Sequence, residues 1–254
     1  IGSYSSSITE PASQIFNEAN ILQITPASTA TRLTEKGYKQ FFRTIFLDNR
    51  QGLFAAEFMT KDLGVSRVAI IHDNSTYASG LAEWTKKFLE ERGAEVVFFD
   101  AITPGESDYK AVLTRVKAEQ PEAIYFTGYH PEGGLIARQA KELGIEAHLV
   151  FGDANNNPDF IKIAGDAAEG VFVTTAPLPQ DLPYDLAKEF IEKYRNKYGE
   201  EPPSIYTLTA ADAFRLIVHA IEETGSTDTD ALAEFLHGIK DFPGITGPIT
   251  YDEK

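Results

Sequence analysis

The stretch IIHDNSTYASGLAEW, residues 70–84, joins an apolar segment to an amphipathic one through a short polar cluster. The apolar side chains that open it belong to a predicted buried strand over 67–72. Apolar side chains at helical spacing then predict a helix over 78–92. Tyr77 therefore stands where a strand ends and a helix begins, which is where ligands bind in parallel α/β sheets.

The same strand–helix unit recurs on the C-terminal side of this stretch. Further strands are predicted at 94–100, 123–128 and 147–153, with helices at 107–119 and 131–143 between them. Continuous runs of valine, isoleucine and phenylalanine between helices indicate a parallel sheet covered on both faces. The predicted class is α/β, with doubly wound parallel sheets.

Three segments look like passages between two lobes: TIFLDNRQG, the proline-rich TTAPLPQDLP, and the terminal GPITYDEK. Several such passages predict two lobes joined by a multi-strand hinge, with a cleft between them. We predict an N-terminal lobe from residues 1–47 and 178–246, a C-terminal lobe from residues 48–177, and a crossover segment over 247–254. We expect the chain to be part of a longer protein, because the sequence starts as if at the end of a strand and stops as if inside one. The N-terminal lobe is expected to be incomplete in this chain.

Composition excludes several classes of function. The net charge of −15 argues against nucleic acid or an anionic membrane as the main partner. The chain has no cysteine, so disulfides and thiolate metal sites are excluded. Its five histidines form no metal-binding pattern, and no phosphate-binding or nucleophile motif is found. We expect no metal, no cofactor, no catalysis and a monomer.

Polar residues at the ends of predicted strands form two chemically different sets. The first set is rich in hydroxyls and precedes helices or follows a strand. Its members are Ser5, Ser6, Ser7, Ala27, Ser28 and Thr29. Hydroxyls and backbone N–H groups at the start of a helix suit a carboxylate. The alternative is a purely structural role, in which these serines and threonines only cap helices.

The second set combines an acid with two phenols. Asp153 supplies a negative charge, and Tyr77 and Tyr129 supply hydroxyls and ring faces, a combination that suits an ammonium group. Taken singly, Asp153 is typical of a turn and the tyrosines of an amphipathic surface. Together, the two sets predict a ligand that carries both charges, held by closure of one lobe toward the other.

Segments across nearly the whole chain carry a family resemblance. They are SSSITEPAS, NILQITPAST, LTEKGYKQFFRT, VAIIHDNSTYASGLA, VVFFDAITPGESDY, YFTGYHPEGG, IAGDAAEGVFVT and GPITYDEK. The chain resembles the periplasmic branched-chain amino-acid-binding proteins of bacterial ABC importers, which have the type I periplasmic-binding fold.

The resemblance implies roles for both sets. It implies that Ser6, Thr29 and the backbone of Ala27 bind a ligand carboxylate, and that Tyr77, Tyr129 and Asp153 bind the α-amino group. It places Tyr4 and Ser5 near the pocket for the ligand side chain, and Ser28 is predicted to be a further ligand-binding residue. Two residues depart from the family pattern, because Asp153 stands where glutamate is common and Ser5 where a disulfide cysteine is common.

The implied function is that of an extracytoplasmic solute-binding protein, which captures an amino acid or a similar amine-carboxylate and delivers it to the permease of an ABC transporter. The implied location is the periplasm or the cell exterior, with membrane association in a Gram-positive cell. The resemblance also implies N- and C-terminal segments beyond this chain, as a separate piece or as further sequence. The alternative is a ligand-sensing domain of a receptor, or an engineered sensor, on the same fold.

Overall fold

The computed structural model describes residues 1–251 and divides the chain into two compact units. Unit 1 consists of Ile1–Phe46 and Ala176–Lys254, and unit 2 is the continuous segment Leu47–Thr175. Among the described residues, no helix combines the length and the apolar character needed to cross a bilayer.

The described residues alternate strand and helix along most of the chain. The α-helices are α1 (Ser6–Glu18), α2 (Arg32–Glu35), α3 (Asp48–Glu57), α4 (Thr76–Glu91), α5 (Lys110–Ala118), α6 (His130–Glu142), α7 (Pro158–Ala164), α8 (Asp185–Tyr198), α9 (Ile205–Thr224) and α10 (Thr229–His237). The strands are β1 (Gln23–Thr25), β2 (Phe41–Arg43), β3 (Arg67–His72), β4 (Glu95–Ala101), β5 (Ala123–Phe126), β6 (His148–Phe151), β7 (Phe172–Val173), β8 (Phe242–Gly244) and β9 (Gly247–Ile249).

Unit 2 is built on one five-stranded sheet. Its strand order is β4-β3-β5-β6-β7, and every neighbouring pair is parallel. Alternate residues of β3 enter different apolar clusters, because successive side chains of a strand point to opposite faces. Val68 and Ile70 pack with α3 and α4, whereas Ala69 and Ile71 pack with α5, α6 and α7. The predicted doubly wound sheet, covered on both faces, is confirmed.

Helix α4 starts where its sequence provides a cap. The hydroxyl oxygen of Ser75 accepts a hydrogen bond from the Ala78 N–H at 3.2 Å. The carboxylate of Asp73 in turn accepts from the Ser75 N–H at 2.9 Å, which fixes the approach to the helix. Tyr77, the second residue of α4, is thereby held at the carboxyl end of the sheet.

Unit 1 combines two segments that are far apart in sequence. Strands β1 and β2 form a parallel pair, and β8 and β9 form an antiparallel hairpin. Ile24 and Phe42 pack in one apolar cluster with Leu216 of α9 and Leu236 of α10. The expected crossover segment over 247–254 includes β9, and its last three residues lie outside the described part of the chain.

The Asp212 carboxylate ties α9 to the β8–β9 hairpin inside unit 1. It is fully buried and accepts hydrogen bonds from the Ile245 N–H at 2.6 Å and the Thr246 N–H at 2.9 Å. The Thr246 hydroxyl donates to it at 2.8 Å, and the Arg215 guanidinium lies 3.4 Å away. Several donors thus compensate the burial of this charge.

Candidate functional site

The acid and one phenol predicted at the strand ends of unit 2 are in direct contact. Asp153 begins a short 3-10 turn directly after β6, and its Oδ1 accepts a hydrogen bond from the Tyr77 hydroxyl at 2.7 Å. Asp153 is 3% exposed and Tyr77 is 4% exposed. A hydroxyl that donates to a carboxylate forms one of the stronger hydrogen bonds in proteins. Tyr77 therefore fixes the orientation of the acid.

The ring of Tyr129 completes this group, which we call the acid–phenol cluster: Tyr77, Tyr129 and Asp153. The ring centroids of Tyr77 and Tyr129 are 5.5 Å apart, with an interplanar angle of 52°. Tyr129 is the N-cap residue of α6, so the ends of three parallel strands supply the three members. A carboxylate beside aromatic rings can hold an ammonium group by charge, hydrogen bonding and cation–π attraction.

Two residues that support this cluster were missed in the sequence. Gly152 precedes Asp153, and a Cβ built on it would lie 2.5 Å from the Tyr77 hydroxyl oxygen, so any larger side chain would displace that hydroxyl. The Asn155 side-chain amide donates to the Gly128 carbonyl at 2.8 Å and to the Gly152 carbonyl at 3.2 Å. It therefore ties the segments that follow β5 and β6. A glycine before an acid at a strand end is the available sequence signal.

His72 and Tyr125, which lie near these strand ends in unit 2, have shifted pKa values. Burial lowers the pKa of the His72 imidazole, and the carboxylates of Asp73, Asp100 and Glu83 oppose that shift. Burial raises the pKa of the Tyr125 hydroxyl above its ordinary value, and Asp153 adds a smaller effect of the same sign. The His72 Nδ1 accepts from the Asn74 N–H at 3.1 Å, while Asp73 binds the Ser75 N–H.

The hydroxyl-rich set in unit 1 is built around the start of α1 and the loop after β1. Ser6, the first residue of α1, is 1% exposed, and its Oγ accepts from the Ala30 N–H at 3.3 Å. Thr29, the neighbour of Ala30, is also 1% exposed. The Ser5 carbonyl accepts from the Ile8 N–H at 3.0 Å and starts the helix. Hydroxyls and helix-start amides therefore occur together here, as the sequence indicated.

Ser28 serves the interior of this loop. Its hydroxyl is fully buried and is hydrogen-bonded to Thr9 Oγ1 at 2.7 Å and to the carbonyls of Ser3 and Tyr4 at 3.1 and 3.2 Å. Sequence reasoning missed Thr9, as well as Thr25. For both threonines, the available sequence signal is a polar residue at a position where the helix or strand pattern is otherwise apolar.

Thr25 fixes the backbone on which Ala27 stands. Its Oγ1 accepts from the Ser28 N–H at 3.1 Å and from the Ala27 N–H at 3.5 Å, and it donates to the Ser3 carbonyl at 2.9 Å. Tyr4, by contrast, is half exposed, and its ring meets the ring of Tyr206 edge-on at 5.2 Å. The two rings place an aromatic surface at the start of α9.

Two cavities of about 540 and 530 Å³ lie elsewhere in unit 2. Their linings include Gly144, Ile145 and His148, which precede or begin β6. They therefore lie at the amino ends of the strands, at the opposite edge of the sheet from the acid–phenol cluster. No candidate residue lines either of them. Among the described residues, no group of three or more histidines or acids has metal-binding geometry.

Comparison with known proteins gives consistent matches over the whole chain. A family model described as "Periplasmic binding protein" matches residues 1–254. The leucine-, isoleucine-, valine-, threonine- and alanine-binding protein of Pseudomonas aeruginosa is 36% identical over 255 residues, which span 100% of this chain and 67% of that protein. The Leu/Ile/Val-binding protein of Escherichia coli is 35% identical over 254 residues, with 100% and 68% covered.

Solved structures agree with these sequence matches. A leucine-binding protein LivK from Thermotoga maritima matches with a TM-score of 0.94 and 35% identity, over 99% of this chain and 71% of that one. A branched-chain amino-acid transporter substrate-binding protein LivJ from Streptococcus pneumoniae, in complex with isoleucine, matches with a TM-score of 0.86 and 30% identity, over 99% and 71%.

Proposed function

This chain belongs to the periplasmic binding protein family and has a solute-binding role, and we propose that its solute is an α-amino acid with an aliphatic side chain. The relatives that support this proposal are named for leucine, isoleucine and valine. Membership of this family also indicates an extracytoplasmic location. The finer alternatives are a free periplasmic protein and a membrane-associated one in a Gram-positive cell.

The observation that carries the proposal is the hydrogen bond of Tyr77 to Asp153. It orients a buried carboxylate beside the Tyr129 ring, and the burial of a carboxylate is well compensated by a ligand cation. An α-ammonium group satisfies the carboxylate with up to three N–H donors. In this proposal the Asp153 carboxylate therefore compensates the positive charge of the ammonium group, and the two phenols orient the ammonium group.

In this proposal the hydroxyl-rich set of unit 1 binds the carboxylate of the same ligand. Ser6 and Thr29 supply hydroxyls, and the loop that begins at Ala27 supplies the Thr29 N–H beside the positive end of the α1 dipole. Ser28 supports the loop through its three hydrogen bonds, and Tyr4 with Tyr206 contacts the ligand side chain. A ligand that engages both sets favours the conformation in which both are occupied.

The reaction proposed is binding and release alone, by a monomer, with no bond made or broken. One solved relative is the substrate-binding protein of a branched-chain amino-acid transporter, and we propose that this chain delivers its ligand to the permease of an ABC transporter. Micromolar affinity requires about 8 kcal/mol, which a few charge-assisted contacts and the burial of an aliphatic side chain can supply.

A thermal-shift screen of the full-length protein tests this proposal, because a ligand of the folded state raises the melting temperature. The panel contains the twenty amino acids, together with 4-methylpentanoate and 3-methylbutylamine, which each lack one charged group of leucine. We expect stabilisation by leucine, isoleucine or valine and little by the two truncated compounds. Equal stabilisation by either truncated compound would contradict the assignment of two charge-binding sets.

A further inference from the structure

Arg43, the last residue of β2, is hydrogen-bonded through its guanidinium to the loop that follows β1. Its guanidinium Nη1 donates to the Ser28 carbonyl at 2.9 Å and to the Ala30 carbonyl at 3.0 Å. Its Nη2 donates to the Thr34 hydroxyl at 3.1 Å, and Arg43 as a whole is 9% exposed. One buried cation therefore fixes the two carbonyls that flank Thr29.

This arrangement determines the direction of the Thr29 amide. The Ser28 carbonyl and the Thr29 N–H belong to one planar trans peptide, so they point in opposite directions. Because the carbonyl points to Arg43, the Thr29 N–H points away from it. The next amide, that of Ala30, is held by Ser6 Oγ at 3.3 Å. A hydrogen bond from a cation to a carbonyl also polarises the peptide, which strengthens its N–H as a donor.

We propose that Arg43 is a positioning residue for the carboxylate end of the ligand. It turns the negative carbonyl ends of the 28–30 segment away from the ligand carboxylate and presents the Thr29 amide and hydroxyl to it. This inference rests on the proposed function and deepens it. A lysine cannot replace Arg43 in this role, because a single ammonium lacks the planar fork that spans two carbonyls and a hydroxyl.

The test compares two probes, L-leucine and L-leucinamide, which differ only in the group that Arg43 serves. Dissociation constants are measured by calorimetry on the full-length protein at pH 6, where both probes carry an ammonium. For Arg43→Lys we expect the leucine affinity to fall by about 10- to 100-fold and the leucinamide affinity by less than about threefold. The selectivity for carboxylate over carboxamide therefore decreases, which a general loss of packing would not produce.

Arg215 provides the matched control in unit 1. It also donates to a backbone carbonyl, that of Pro243 at 2.7 Å, and it lies over the Phe242 ring. Arg215→Lys should leave both dissociation constants within about twofold of wild type. Thr34→Val removes only the hydroxyl that receives Nη2, and it should lower leucine affinity about two- to fivefold with leucinamide unchanged. This milder variant gives the answer if Arg43→Lys does not fold.

The outcomes separate this inference from the proposed function. Equal losses for the two probes in Arg43→Lys and Thr34→Val, or no loss in either variant, overturn the positioning role while the proposed function stands. A wild-type protein that binds leucinamide as tightly as leucine, or binds neither, contradicts the proposed carboxylate set itself and the role of Arg43 with it.

Discussion

The Tyr77 hydroxyl donates to Asp153 Oδ1 at 2.7 Å, and both side chains are almost completely buried. This contact joins the start of α4 to the first residue of the 3-10 turn after β6. It converts a strand-end acid into an oriented acceptor before any ligand arrives, which reduces the ordering cost of binding. Four of the predictions below concern this part of unit 2, and one concerns the interior of unit 1.

Replacement of the acid by its amide should greatly weaken binding of the amino acid. Asp153→Asn keeps the size of the side chain but removes the charge that compensates the ammonium, so we expect a loss of about 2–5 kcal/mol in binding free energy. The control is Asp73→Asn, another buried acid of unit 2, whose carboxylate binds the Ser75 N–H. Calorimetry on both variants measures the affinity for the amino acid. An unchanged affinity in Asp153→Asn would contradict the assignment of Asp153 to the binding site.

Removal of the phenol hydroxyl should weaken the same interaction through the acid. Tyr77→Phe deletes the donor to Asp153 and leaves the ring, so we expect a loss of about 1.5–3 kcal/mol in binding free energy. A double-mutant cycle with Asp153→Asn measures the coupling between the two side chains. Strictly additive losses would show that the hydroxyl does not act through the carboxylate.

A single methyl group at Gly152 should disturb the cluster while every proposed ligand-binding side chain stays unsubstituted. In Gly152→Ala the new Cβ would lie 2.5 Å from the Tyr77 hydroxyl oxygen, so that hydroxyl must move off Asp153. We expect an affinity loss similar to that of Tyr77→Phe, about 1.5–3 kcal/mol. The control is Gly80→Ala in α4, where the nearest atom lies at an ordinary 3.4 Å. Equal affinities for the two alanine variants would count against the steric argument.

The buried imidazole of His72 should make stability depend on pH in a defined window. Burial lowers its pKa below the unfolded value of about 6.5, so the unfolded chain binds more protons between the two values. Stability should therefore fall as the pH decreases below about 6.5, until the folded pKa is passed. His72→Asn, which retains an acceptor for the Asn74 N–H, should reduce that fall in urea titrations at pH 7.5 and 5.5.

A second histidine variant tests whether the pH dependence of stability comes from the buried imidazole of His72. His148→Asn changes a solvent-exposed histidine at the start of β6 in the same unit and should leave the pH dependence as in wild type. A His72→Asn protein with the full wild-type fall in stability would assign the effect to other groups.

The carboxylate of Asp212 should be a major contributor to the stability of unit 1. Asp212→Asn removes the charge that two backbone amides, a hydroxyl and a guanidinium surround, and we expect a loss of about 3–5 kcal/mol in unfolding free energy. Asp241→Asn, an exposed acid before β8, should change it by less than about 0.5 kcal/mol. Denaturant titration compares the two, and similar small losses would refute this role of the buried charge.

Hydrophobic periodicity made the sheet of unit 2 predictable from the sequence, and the polar residues at its strand ends made the acid–phenol cluster predictable. The apolar run at 67–72 and the helix after it predicted the sheet of unit 2, since the central strands β3 and β5 are buried on both faces. Tyr77, Tyr129 and Asp153 could be grouped because parallel strands deliver their carboxyl ends to one edge. The predicted strand over 123–128 ends earlier, at Phe126, where the chain turns toward Gly128 and the start of α6.

What the sequence could not supply is contact between elements that are remote in the chain. The proximity of Gly152 to the Tyr77 hydroxyl depends on the spacing of α4 from β6, which no local pattern encodes. Asn155 is one of three consecutive asparagines and Arg43 ends a short strand, and neither position indicated a role. Their roles arise from the carbonyls that they reach, and those carbonyls belong to other elements.

The interleaved connectivity of the two units has a consequence for the order in which the nascent protein acquires structure. Unit 2 is one uninterrupted segment, so all five strands of its sheet are available once Thr175 has emerged. Unit 1 must wait, since Ile24 and Phe42 find their apolar partners about 190 residues later, in α9 and α10. Until then β1 and β2 lack the apolar surface that α9 and α10 supply, so we expect the cooperative unit that contains them to form after unit 2.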